Sequence, residues 1–210
     1  MEEPSRKPYP MPTLQNINLE HITQRTSLSL YKRGETMRIL NFDLIRNMPR
    51  PATRAAMKIN KDIIACEVGV WYGKNAKNIY DHLNIKKLYL VDPYIPYNDE
   101  KTIYGIMKAK QSAIRRLRDC DRVEWIFEDS NKVIDEEMIK ENLDFVYLDG
   151  FHDYETVKKE CEYFWSKINK GGVLSGNDID ASPVTKAVWE FSNKINQVPQ
   201  ILKQDWIFIK

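Results

Sequence analysis

Hydrophobic positions in this chain fall into two alternating rhythms. Short apolar runs, β-rich and three to six residues long, alternate with longer stretches in which apolar residues recur at helical spacing. The runs are Ile63 to Cys66, Lys87 to Val91, Val123 to Phe127, Leu143 to Leu148 and Val173 to Ser175, followed by Pro199 to Leu202 and Trp206 to Ile209. Between the first two, Ala76, Ile79, Tyr80 and Leu83 fall at offsets 0, 3, 4 and 7, one face of a helix. Residues 103–117 carry Ile103, Ile106, Met107, Ile114 and Leu117 on one side, and a helix is expected from Ser130 to about Glu141. The clearest helix holds Tyr154, Val157, Cys161, Phe164, Trp165 and Ile168, with Gly171-Gly172 expected to stop it. Ser182 and Pro183 read as N-cap and first-turn proline of a last helix whose apolar side is Val184, Ala187, Val188, Phe191 and Ile195.

This alternation, with no helix between the last two strands, predicts an α/β fold. The sheet would be seven-stranded and mostly parallel, with an antiparallel last strand. Right-handed crossovers then bring the carboxyl ends of the strands to one edge, where open α/β sheets bind ligands. An acid stands at each of the first five ends: Glu67, Asp92, Asp129, Asp149 and Asp178. Such a coincidence of acids points to a ligand site at that edge.

The first strand leads into Glu67-Val-Gly69-Val-Trp71-Tyr-Gly73. Strand, glycine turn and helix open many nucleotide-binding domains, because glycine lets the backbone take unusual dihedrals and lets a ligand lie against it. The loop is not a dinucleotide fingerprint, since Trp71 stands where a glycine is needed. It is not a P-loop either, since Asn75 follows Gly73-Lys74 and the upstream spacing is wrong.

Composition narrows the class further. The 210 residues are 42% hydrophobic and 30% charged, as in globular proteins. A net charge of +2 gives no reason to expect a nucleic-acid or membrane partner. The start, Met-Glu-Glu-Pro, has no apolar core of a signal peptide, and Cys66, Cys120 and Cys161 are too scattered for a C-x-x-C site, so free thiols in a reducing, cytoplasmic setting are expected. Residues 1–60 stand apart as an N-terminal arm and helical extension. Pro4, Pro8, Pro10 and Pro12 suggest an extended arm, either a lid or a contact within a homo-oligomer. Met37, Leu40, Leu44 and Ile45 suggest a helix broken by Pro49 and Pro51, and Arg46, Arg50 and Arg54 read as a solvated face, with an anion site as the less favoured alternative.

From residue 61 to 210 these patterns resemble the class I S-adenosylmethionine (SAM)-dependent methyltransferases, a Rossmann-like three-layer sandwich whose seven strands end in a β-β reversal. Glu67 to Gly73 resembles the E-x-G-x-aromatic-x-G loop of small-molecule O-methyltransferases, catechol type included. Asp149-Gly-Phe-His152-Asp-Tyr154-Glu-x-Val157, with Gly171-Gly-Val-Leu-x-Gly-x-Asp178, resembles a methyltransferase subfamily with the signature D-G-x-H-x-Y. The resemblance implies SAM as cofactor and a methyl group passed to oxygen, less readily nitrogen, of a small polar acceptor. Glu67, Gly69, Val70, Trp71, Gly73 and Asn75 would surround its amino-acid end, with Glu67 ordering the loop. Asp92, followed by Pro93, would accept both ribose hydroxyls. Asp129 and Ser130 would meet the adenine, and Asp149 would border both cofactor and acceptor.

His152, three residues after Asp149, is the expected general base, a task suited to an imidazole titrating near neutrality. In catechol-type enzymes the matching position holds a lysine. His21 and His82 are expected to be structural or exposed. Asp149, Asn177 and Asp178 would offer Mg²⁺ three oxygen ligands. Two other readings remain open at this point, a nicotinamide-dependent reductase and a non-catalytic SAM-binding module. Acceptor choice would rest with the segment before Lys61 and the loop Tyr94 to Lys101.

Overall fold

The central strands explain the fold's stability and the placing of its edge. In a computed structural model that describes residues 48–95 and 100–210, the strand Leu143–Leu148 (β4) is buried at all six positions. Such a run suits a strand covered on both faces. Phe145 and Tyr147 point to one face of the sheet and Val146 and Leu148 to the other.

Chain order gives helix Pro51–Ala56 (α1), strand Ile63–Val68 (β1), helix Lys74–His82 (α2), strand Ile85–Val91 (β2), helix Glu100–Arg116 (α3) and strand Val123–Ile126 (β3). Helix Ser130–Asp135 (α4), β4, helix Tyr154–Lys167 (α5), strand Ile168–Gly176 (β5), helix Ser182–Ile195 (α6) and strands Gln200–Leu202 (β6) and Asp205–Ile209 (β7) complete it. The sheet order is β3-β2-β1-β4-β5-β7-β6. β1 runs parallel to β2 and β4, β5 parallel to β4, and β7 antiparallel to both β5 and β6. The expected seven-stranded α/β sheet with an antiparallel last strand is therefore present. Two apolar clusters fill its faces, one under α1, α2 and α3, the other under α4, α5 and α6.

Residues 48–60, read from the sequence as extension, contribute Ala52 and Ala56 to the first cluster, both fully buried. The expected helix over residues 37–45, Arg46, His21 and the proline arm lie outside the described residues.

Three expected boundaries move. α4 ends at Asp135, six residues short of Glu141, and Glu137 takes a left-handed φ of 47° just beyond it. Its carboxyl end gathers Asp135, Glu136 and Glu137, charges that the helix dipole disfavours there. α5 ends at Lys167, before the two glycines. These belong to β5, where Gly171 N–H donates to the Lys210 carbonyl at 2.6 Å and Gly172 accepts from Lys210 N at 2.9 Å. Pairing with the chain end outweighs the local glycine stop. In α6 the N-cap is Ala181, with Ser182 already inside the helix.

Candidate functional site

The strand order reverses between β1 and β4, and the loops that leave these two strands build the site. Both ladders continue past the strands: Gly69 N–H donates to the Val91 carbonyl at 2.9 Å and Asp149 N–H to the Val68 carbonyl at 2.8 Å. The loops are so close that a Cβ on Gly69 (φ 84°) would stand 2.0 Å from the Asp149 carbonyl oxygen. Glycine at 69 thus makes room for the neighbouring loop of the chain itself.

Asp92, directly after β2, ties this loop down. Its Oδ2 accepts from Val70 N and Trp71 N at 2.9 Å each, and its Oδ1 accepts from Tyr94 N at 2.9 Å. A carboxylate has about four lone-pair positions, so it retains capacity for further donors. Trp71 is held at φ 49°, exposed, with its carbonyl accepting from Tyr94 Oη at 2.8 Å. Left-handed backbone at a bulky residue is strained and tends to mark functional loops. Glu67 lies one residue inside the end of β1, fully buried. Its Oε1 accepts from Asn75 Nδ2 at 2.9 Å, while Oε2 has no partner among the described residues. Burial, opposed by Asn75, holds its pKa well above the usual carboxylate range.

On the opposite lip, Asp149 and His152 follow β4 and Asp178 follows β5. His152 Nε2 lies 3.7 Å from Asp149 Oδ1 and 3.4 Å from Asp178 Oδ2. Nε2 is buried between the two acids and hydrogen-bonded to neither. The Asp149 carboxylate, then Asp178 and Glu160, raises the His152 pKa against partial burial. Asp153, the next acid in sequence, takes no part: it caps α5, accepting from Thr156 N at 3.1 Å. The second acid near His152 is Asp178, 26 residues away in the chain, at φ 54°. Glu160, buried in α5 beneath this loop, has its pKa pushed up to about 7, chiefly by burial.

Arg50 departs from the solvated face predicted for it. Its Nη2 donates to Asn177 Oδ1 at 2.9 Å and to Asp205 Oδ1 at 2.8 Å, and its guanidinium lies over the Tyr147 ring at 4.9 Å. Nη1 stands 4.0 Å from Asp149 Oδ2. Arg54 is exposed as expected. His82 is structural, its Nδ1 2.8 Å from the Asn78 carbonyl.

The Mg²⁺ ligand set expected from Asp149, Asn177 and Asp178 does not assemble. The amide oxygen of Asn177 is taken by Arg50, and its Nδ2 donates to Asp178 Oδ1 at 3.0 Å. The group that does converge is Asp149, His152 and Asp178, with ligand atoms within 4.8 Å of one another. A hard ion that prefers an all-oxygen octahedral shell does not fit a set containing an imidazole.

Between the lips lies a cleft of about 1120 Å³. Gly69, Asp92, Pro93, Asp129, Ser130 and Asp149 all line it, together with Arg50 and Glu67. Asp129 caps α4, accepting from Lys132 N at 3.1 Å, and Ser130 is buried behind it. His152 does not line the cleft; its Nε2 lies 3.7 Å from Oδ1 of Asp149, which does. Exposed Trp71, Ile95 and Phe151 rim the opening. Tyr94, expected in an acceptor wall, is buried under the glycine loop, and Pro96 and Tyr97 lie outside the described residues.

A sequence profile described as a methyltransferase domain matches residues 66–179, just over half of the chain and all of the loops above. The chain belongs to this methyltransferase family. SAM is the family's cofactor, and an orphaned acid beside a glycine cradle fits a ligand that carries an ammonium group. Among curated proteins, none matches the sequence. Solved structures share the fold of this methyltransferase at low identity. A Streptococcus mutans protein assigned as a methyltransferase, in complex with S-adenosylhomocysteine (SAH), aligns with TM-score 0.56 at 16% identity, covering 76% of this chain and 96% of that one. An rRNA methylase from Streptococcus thermophilus aligns with TM-score 0.54 at 15% identity, covering 74% and 90%. The O-methyltransferase NovP aligns with TM-score 0.53 at 14% identity, covering 80% and 78%. The three cysteines are buried and unpaired, and no helix among the described residues is long and apolar enough to cross a membrane.

Proposed function

We propose that the chain transfers the methyl group of SAM to a hydroxyl oxygen of a small acceptor. The observation that carries this reading is the pairing of two lips across one cleft. Asp92 and the glycine loop form one lip, and Asp149 with His152 behind it forms the other. Bound there, SAM supplies an electrophilic methyl group on a sulfonium. Asp92 would receive the ribose hydroxyls with its remaining lone pairs, and Glu67 Oε2 would meet the methionine ammonium. Asp129 and Ser130 border the adenine.

The acceptor enters from the rim, where Trp71 and Phe151 give an apolar frame for a compact molecule. Its hydroxyl donates to Asp149 on the cleft wall. As the C–O bond forms and the S–C bond breaks, the hydroxyl proton passes through Asp149 to His152 Nε2, and SAH leaves. Positioning supplies most of the acceleration in such an in-line displacement. The loop asks for a neutral imidazole at the start of the step, so the rate rises with pH through the elevated His152 pKa.

The test is transfer from methyl-labelled SAM across a panel of small hydroxylated compounds. The reading requires an O-methyl product and a loss of about 10²–10⁴-fold in kcat for His152→Ala. A product methylated only on nitrogen, or on RNA, would overturn the acceptor assignment.

A further inference from the structure

Two of the side chains expected to hold a divalent ion are already turned toward a cation of this chain. We propose that Arg50 is the resident cation of the acceptor site: its guanidinium stands in the place of a metal between Asn177 and Asp149, and its Nη1 hydrogens meet the acceptor oxygen.

The guanidinium is fixed from several sides. Nη2 is shared between Asn177 Oδ1 and Asp205 Oδ1, at 2.9 and 2.8 Å, and the Tyr147 ring lies against its flat side. Asp205 is buried and also accepts from Tyr147 Oη at 2.9 Å and Ala52 N at 3.3 Å. The Arg50 backbone N–H donates to Asn78 Oδ1 at 3.2 Å. These bonds hold one end of the fork. Among the described residues Nη1 stays unbonded, 4.0 Å from Asp149 Oδ2, in a side chain that keeps 32% of its surface exposed. Both groups line the same cleft.

An acceptor hydroxyl seated there would donate to Asp149 and accept from Nη1. Arginine stays charged at any working pH, and its planar fork is a fixed donor. A fixed positive charge beside an oxygen stabilises the negative charge that develops as its proton leaves, which is the work a divalent ion does in metal-assisted transfer. The proton goes to Asp149 and His152, the oxygen gains the methyl carbon, and no co-reactant beyond SAM is required. A metal ion and Arg50 would compete for Asn177 Oδ1 and for the field around Asp149, so each excludes the other.

This inference rests on the methyl-transfer reading for the identity of the oxygen; the rivalry between Arg50 and a metal stands without it. The test is Mn²⁺ binding, followed by electron paramagnetic resonance on the full chain with excess SAH, for wild type, Arg50→Lys, Arg50→Met and Arg50→Met with Asp149→Asn. Wild type and Arg50→Lys should leave Mn²⁺ free. Arg50→Met should bind it at least about tenfold more tightly, because one repelling charge has gone from within about 4 Å. Adding Asp149→Asn should abolish that gain. Mn²⁺ bound by wild type as tightly as by Arg50→Met overturns the proposal. So does a folded, SAH-binding Arg50→Met that gains nothing. If Arg50→Met does not fold, Mn²⁺ binding by wild type that Asp149→Asn removes is enough to overturn it. SAH affinity, measured alongside, reports failure of the methyl-transfer reading separately.

Discussion

The Asp149 carbonyl oxygen occupies the space a side chain on Gly69 would need: a Cβ there would come within 2.0 Å of it. The glycine loop after β1 and the loop after β4 are thus built against each other. Gly69→Ala should force them apart and strain a backbone at φ 84°. The expected cost is about 3 kcal/mol or more, from overpacking and left-handed strain together. Urea denaturation measures it. Gly105→Ala in α3, where an added Cβ meets nothing within 4 Å, is the control. It should stabilise by about 0.5–1 kcal/mol through helix propensity. Equal and small effects at the two positions would mean that the loops do not need this contact.

His152 should titrate above the ordinary imidazole pKa of ~6.5. Asp149 is the leading cause, with Asp178 and Glu160 behind it. Removing either nearby carboxylate, by Asp149→Asn or Asp178→Asn, should lower the value, and Asp153→Asn should leave it nearly unchanged. Because the folded-state pKa is raised, the favourable interaction is fully present below the unfolded pKa and is lost as pH rises through the folded one. Imidazole NMR in the SAH complex reads all four values. A midpoint at or below the free value would remove His152 from its place between the two acids.

Glu160 predicts a second pH effect of a different kind. Its Oε1 is buried without a partner among the described residues, and its folded pKa is raised from 4.5 to about 7. The folded state therefore holds a proton that the unfolded state gives up, and stability should fall as pH rises from about 4.5 to about 7. The decline is of order 2–3 kcal/mol for a shift of this size. Glu160→Gln should flatten that part of the profile, read as unfolding free energy against pH. A wild-type profile that rises over this interval would contradict the burial of a neutral carboxyl.

Much of the frame was legible because it is written locally. A central strand buried on both faces must be a run such as Leu143 to Leu148, and an acid beyond its end must face the open edge. Asp92 and Asp149 follow from that geometry. Arg50 could not be read in this way. Its role depends on Asn177 and Asp205, 127 and 155 residues away, whereas local spacing offered only Arg46 and Arg54 as company. His152 shows the same limit in miniature: Asp153 is its neighbour in sequence, but a helix start claims that carboxylate as its cap, and the second acid near the imidazole is Asp178. Gly171 and Gly172 look like a helix stop until the chain end arrives to pair with them. In each case a long-range partner outweighed a local rule.

The most direct test of the account is calorimetric titration of SAH and SAM into the full chain, with NADH as control and Asp92→Ala beside wild type. The account predicts that both sulfur ligands bind and NADH does not. It also predicts that Asp92→Ala loses about 1.5–3 kcal/mol of affinity, the usual weight of hydrogen bonds to a charged group. NADH binding more tightly than SAH, or an Asp92→Ala protein that binds SAH as well as wild type, would contradict it.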